Sequence, residues 1–196
     1  MTDALPTGLF GGTFDPPTVA HLLIAEWVRD ALALDCVWFM PTAVNPFKQD
    51  NDTTPADLRL RMLRDSCSGV NHFLVRDDEI QRGGVSYTVD TLRRLNDEHP
   101  DRRFTLILGG DSVHSLLRWK DPDEILERAD IAAVVRPGWK LEDADPKVRN
   151  HIRPVEIPEL AVSSTLVRQR VAEGKSVRFL VPQPALKIIH DLKLYR

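Results

Sequence analysis

The 196-residue sequence predicts an α/β fold: a doubly wound parallel sheet with a small helical C-terminal part. Two observations carry this. Short runs apolar on both faces, such as Val37–Met40 and Phe104–Leu108, alternate with stretches of helical period, the pattern of a parallel sheet covered by helices on both sides. The first such run, Gly8–Phe10, empties into Gly11-Gly12, and after a polar turn with two prolines a helical stretch begins at Thr18. Strand, glycine loop and helix in that order set a positively polarised helix end beside a loop that admits an anion. His21 falls at about the third helical position, in reach of the same anion. The sequence therefore expects phosphate to be handled here.

The remaining elements follow in order. After a loose lead-in over Met1–Thr7 and the strand Gly8–Phe10, helix one is expected over Val19 to about Leu32, with Val19, Leu22, Leu23, Ala25 and Val28 on its apolar side and Thr18 as N-cap. Val37–Met40 is a buried strand closed by Pro41. Thr42–Pro55, rich in Asn, Pro, Asp and Thr, is a long loop of the kind that carries function. Ala56–Ser66 is a helix with Leu58, Met62 and Leu63 inward. Phe73–Val75 opens a strand expected to extend through Ile80, which makes Asp77-Asp78-Glu79 a solvated strand end. Thr88–Glu98 is a helix, and Phe104–Leu108 a strand leading into Gly109-Gly110-Asp111. Short helices follow near Ser112–Leu117 and Pro122–Ala129, then a strand over Ile131–Val135. Leu141–Arg149 reads as charged and irregular, and Val155–Ile157 as the last strand. Ser163-Ser164-Thr165 caps a helix to about Glu173, Gly174 stops it, and Pro184–Leu194 is the final helix. No repeat or linker divides the chain, so one domain over 1–196 is expected, its helical C-terminal part starting near residue 159. A chain of this length buries roughly 70% of its unfolded surface and needs no staple.

Composition excludes several classes. The formal net charge of −3 argues against a nonspecific nucleic-acid binder, which carries a basic excess. Cys36 lies in the apolar run Cys36–Met40 and Cys67 ends an expected helix; neither has a Cys-x-x-Cys partner, as expected of reduced packing residues in a cytoplasmic protein. No basic-then-apolar leader opens the sequence, and no apolar run nears the ~20 residues of a membrane span. The histidines other than His21 have no ligand spacing, so no protein-built metal site is expected.

The glycine loop is neither Gly-x-Gly-x-x-Gly nor a P-loop ending in Gly-Lys-Ser/Thr. The string Gly11-Gly12-Thr13-Phe14-Asp15-Pro16-Pro17-Thr18-Val19-Ala20-His21 resembles instead the signature of nucleotidyltransferases with a (His/Thr)-x-Gly-His motif, most closely the bacterial nicotinate-nucleotide adenylyltransferases. The likeness continues in order through Trp38-Phe39-Met40-Pro41, Asn45-Pro46-Phe47-Lys48, Ser86-Tyr87-Thr88, Gly109-Gly110-Asp111, Trp119, Arg136-Pro137-Gly138 and Val162–Arg168. Three positions depart from it: Thr18 where the family usually has His, Ala20 where it has Gly, and Phe47 where close relatives often have His.

The resemblance implies a Rossmann-like sheet and transfer of AMP from ATP to nicotinate mononucleotide, with release of pyrophosphate, in NAD biosynthesis. It implies catalytic roles for His21, Thr18, Lys48 and Arg168. ATP would be held by Gly11, Gly12, Thr13, Phe14, Thr18, His21, Gly109, Asp111, Ser163, Ser164, Thr165 and Arg168. Thr13, Lys48, Tyr87, Thr88, Trp119 and Arg136 would receive the mononucleotide. Mg²⁺ is expected to arrive on the triphosphate, held mostly by phosphate oxygens and water. No nucleic-acid or membrane partner is implied, and self-association is left open. Taken singly these residues read blandly: Trp119 packs, Asp111 caps a helix, Tyr87 plugs a sheet edge, Lys48 is a solvated loop lysine. Thr18 and Ala20 keep a second class open, a non-catalytic nucleotide-binding homologue; preference for nicotinamide mononucleotide or phosphopantetheine is the rival within the first. A class I aminoacyl-tRNA synthetase fragment is disfavoured by the missing Lys-Met-Ser-Lys-Ser string.

Overall fold

In the computed structural model, which describes residues 4–47, 53–135, 141–158 and 160–196 (Asp143 by its backbone only), the chain runs β1 (Leu5–Gly12), α1 (Val19–Ala31), β2 (Cys36–Pro41), α2 (Ala56–Cys67), β3 (Phe73–Val75), α3 (Asp78–Arg82), α4 (Thr88–Glu98), β4 (Arg102–Gly109), α5 (Gly110–Ser115), α6 (Pro122–Arg128), β5 (Asp130–Val135), α7 (Pro146–Arg149), β6 (Ile152–Glu156), α8 (Ser164–Ala172) and α9 (Gln183–Asp191). The strands are parallel and ordered β3-β2-β1-β4-β5-β6. The direction of winding reverses between β1 and β4, and the carboxyl ends of these two strands open the crevice where ligands bind in such sheets.

Alternation along the strands sorts the core into two layers. Leu9, Trp38, Leu106 and Ile131 face α4 and α6, meeting Val89, Leu92, Leu95 and Ile125. Val37, Phe39, Ile107 and Ala132 face the opposite way, meeting Ala25, Val28 and Leu63 of α1 and α2. Gly8 is needed where these layers are tightest: a Cβ there would lie 3.0–3.2 Å from Leu34, Ile107 and Val37 side chains. The C-terminal helices pack as a third cluster, in which Val167, Val181, Ala185 and Ile189 close on Met62 of α2.

One expected element is wrong. The strand opened by Phe73 stops at Val75, and residues 78–82 form α3 with Asp77 as N-cap. Acidic residues beside a helix start complement its positive end, so Asp77 and Asp78 open a helix rather than ending a strand. The stretch read as irregular contains α7, and the strand near Val155 begins at Ile152. Cys36 and Cys67 are buried free thiols, and burial pushes Cys67 up to about 12, which makes it inert. Among the described residues no helix is long and apolar enough to cross a membrane.

Candidate functional site

A cleft of about 910 Å³ lies beyond the carboxyl ends of β1, β2 and β4. Its floor is the glycine loop. Gly11 lines it, and a Cβ there would meet nothing within 4 Å, so the absent side chain leaves that volume to the cleft. At Gly12 a Cβ would lie 3.1 Å from the Phe14 ring, which the loop turns inward with φ 50°.

His21 is the one residue of the α1 start on the cleft wall. Its ring is fixed by the turn it grows from. The Thr18 backbone N–H donates to His21 Nδ1 at 2.9 Å, and Thr18 Oγ1 lies 2.8 Å from the same nitrogen. A backbone amide can only donate, so Nδ1 is the acceptor and the neutral ring carries its proton on Nε2. Phe14 and Phe10 flank the imidazole at 5.1 and 6.1 Å. Thr18 itself is fully buried and does not line the cleft; what it touches is His21. Ala20 is likewise buried, so its methyl does not face a ligand. The Val19 N–H is taken by the Leu180 carbonyl at 3.0 Å. The His21 N–H is likewise taken, by the Thr18 carbonyl at 3.1 Å, so the group that the start of α1 turns to the cleft is the imidazole.

The opposite wall is the start of α8. Ser163 Oγ caps it by accepting from Leu166 N–H at 3.1 Å, and Ser163, Ser164, Thr165 and Arg168 all line the cleft. This wall is tied to the floor: Ser164 Oγ donates to Pro16 O at 2.8 Å and Arg168 Nη1 to Asp15 O at 2.7 Å.

The third wall combines the start of α4 with the lip of β2. Tyr87 is the N-cap of α4 and lines the cleft with Thr88. Ser86 N–H donates to Val44 O at 2.9 Å, and Ala43 N–H to Ser86 Oγ at 3.0 Å, locking this turn to the 42–45 segment. Trp119 and Phe47 face each other across the mouth at 6.3 Å. Asn45 Nδ2 donates to Thr13 Oγ1 at 3.3 Å. Gly109 is on the wall, whereas Asp111 is exposed in α5 and is not. Lys48 and Arg136 lie outside the described residues.

Several contributors were not foreseen. Arg59, 2% exposed, donates to four carbonyls: Thr54 O, Thr13 O, Thr42 O and Ala43 O at 2.8, 2.7, 2.8 and 3.2 Å. It thereby joins the exits of β1 and β2 to the approach to α2. Burial pulls its pKa down, and the Asp15 charge opposes that. The buried Asp15 carboxylate accepts from Tyr195 Oη at 2.7 Å and Thr54 N–H at 3.2 Å; burial and Asp15 together push the Tyr195 phenol up. Arg118 and Lys120 add positive charge to the wall, Lys120 lying 4.8 Å over the Tyr87 ring. Among the described residues no three His, Cys, Asp or Glu side chains group to hold a metal ion.

Residues 9–170 match the cytidylyltransferase-like family model. The probable nicotinate-nucleotide adenylyltransferase of Salinibacter ruber is 44% identical over 192 residues, 98% of both chains. That of Geobacillus thermodenitrificans is 42% identical over 188 residues, 96% of this chain and 85% of the relative. This chain belongs to the nicotinate-nucleotide adenylyltransferase family. The fold agrees with that of the Plasmodium falciparum nicotinic acid mononucleotide adenylyltransferase complexed with NaAD: TM-score 0.79, 97% of each chain, 18% identity. As a family member the chain is a nucleotidyltransferase, and the doubly wound sheet is the family's scaffold.

Proposed function

We propose that the protein transfers AMP from ATP to nicotinate mononucleotide, with the triphosphate lying between the glycine loop and α8 and the acceptor ring at the start of α4. The observation that carries the reading is the fixed imidazole of His21, proton on Nε2, lining the same cleft as the Ser163-capped end of α8 and Arg168. An oxygen of the acceptor's phosphate forms a bond to the α-phosphorus of ATP. The bond to the bridging oxygen breaks, and pyrophosphate leaves with the electron pair. Such transfers need alignment and charge neutralisation more than covalent help. His21 donates to phosphate oxygens through Nε2, and Arg168 with the α8 amides balances charge on the leaving pyrophosphate. Thr18 acts through His21, setting its tautomer. Tyr87 and Thr88 offer the amino end of α4 to the ring carboxylate, and Trp119 offers a face to the pyridine. We read Mg²⁺ as part of the ATP substrate, and no step here passes through a protein-held ion.

The test is pyrophosphate release from ATP and Mg²⁺ with nicotinate or nicotinamide mononucleotide, side by side. Turnover with nicotinate mononucleotide is expected to exceed that with nicotinamide mononucleotide. Folded protein that releases no pyrophosphate with either refutes the reading in favour of a binding-only homologue.

A further inference from the structure

The acidic run at α3 splits. Asp77 and Asp78 pair with Arg64 and Arg76 at 2.9 and 2.8 Å, Asp77 at the surface and Asp78 with its side chain only 10% exposed. Glu79 turns inward: it is 5% exposed and sits on the cleft wall beside Ser86, Tyr87, Thr88 and Thr91. Thr91 Oγ1, in the first turn of α4, donates to Glu79 Oε1 at 2.7 Å. Oε2 is sealed from solvent with no hydrogen-bond partner among the described residues. A buried carboxylate oxygen left bare costs far more than a buried carboxylic acid, so the arrangement favours the neutral form. The charged and titratable groups around it are few. Its own helix brings Arg82, which favours ionisation, and Asp78, which opposes it. The 83–87 turn brings the Ser86 hydroxyl and α4 brings Thr91, both favouring the carboxylate. Desolvation outweighs them and the Glu79 pKa is raised. β2, packed against α3, carries no ionisable side chain but Cys36.

We propose that Glu79 is a specificity-determining positioning residue: buried against the first turn of α4 with one carboxyl oxygen unpartnered, it leaves that helix end free to receive an anionic acceptor ring when it is protonated and contests that end when it is ionised. An ionised Glu79 would compete for the same positive helix end and repel a ring carboxylate, while a neutral carboxamide would feel neither effect. The inference rests on the acceptor reading above, and it names the residue that discriminates within that site.

The experiment is the ratio KM(nicotinate mononucleotide)/KM(nicotinamide mononucleotide) from pH 5.5 to 9, for wild type, Glu79→Gln and Thr91→Val. The phosphate titration is common to both acceptors and cancels in the ratio. In wild type the ratio is expected to rise about tenfold as pH climbs through the Glu79 titration, the scale of one unit charge at roughly 10 Å and an effective dielectric of about 20. Glu79→Gln, isosteric and always neutral, is expected to hold the ratio flat. Thr91→Val, which removes a donor to the carboxylate, is expected to move the rise to higher pH. Superimposable wild-type and Gln profiles, or parallel rises for both acceptors, overturn the proposal. If neither acceptor is turned over, the reaction assigned above has failed instead. The ratio of the two calorimetric dissociation constants over the same pH range then decides the role of Glu79: the same rise supports it, and a flat ratio or no binding overturns it.

Discussion

Replacing Arg59 by methionine isolates what holds the floor of the cleft together. The guanidinium is buried and spans four carbonyls from three segments. Hydrogen bonds to a charged group contribute about 1.5–3 kcal/mol each, but the four are not additive. Part of the loss is recovered by water, because Ala43 and Thr54 are only half buried. A net cost of about 4 kcal/mol is reasonable for a buried network broken on one side. For a chain of this size each kcal/mol lowers Tm by about 2–4 °C, so Arg59→Met should melt roughly 8–16 °C lower. Arg61→Met is the control: its side chain is 64% exposed and 3.8 Å from Asp65, and such a pair is worth at most ~1 kcal/mol. Arg59→Lys should fall between, since an ammonium is a point and not a fork. The assay is scanning calorimetry of the three variants, followed by the ATP KM of whatever remains folded. If Arg59→Met melts within 2 °C of Arg61→Met, the network is not what fixes the floor, and the reasoning fails.

Other outcomes follow from the same geometry. His21→Ala should slow turnover by roughly 10²–10³, while losing about 1 kcal/mol of stability with its capping bond from Thr18 N–H; a large loss of Tm with unchanged turnover of the folded fraction would assign the ring to packing. Tyr195→Phe keeps the ring and removes the bond to Asp15, so it should raise the ATP KM more than the acceptor KM; equal rises would contradict a role through the floor. Because Glu79 is raised in the folded state, its neutral form stabilises the protein at low pH, and this contribution is lost as pH rises through the folded value. The urea midpoint of Glu79→Gln should therefore gain on that of wild type with rising pH, and a constant difference would mean Glu79 titrates as an ordinary carboxylate.

Most of the scaffold was legible because its signals are local. Gly11-Gly12, the Thr18 cap and the period of α1 lie within two dozen residues, and apolar runs bounded by turn residues marked the strands. The error at α3 is also local: the strand opened by Phe73 is expected through Ile80, across three acidic residues that are better read as a helix start. Half of the site was harder for a different reason. Arg59 lies on an amphipathic helix where an arginine is expected outside, and its partners are carbonyls, which every residue has. Tyr195 meets Asp15 across 180 positions, a pairing no periodicity encodes. Glu79 reads as solvated in the sequence because it ends a run of three acidic residues.

The floor of the cleft is held from far along the chain. Pro16 O accepts from Ser164, Asp15 from Arg168 and Tyr195, and Val19 N–H is satisfied by Leu180. Residues 10–21 leave the ribosome well before the groups that fix their shape are made. A nascent chain that has completed β1, α1 and β2 carries the whole signature string without the clamp that shapes it. The shape of the loop thus arrives late in synthesis, after the C-terminal helices have docked on α2.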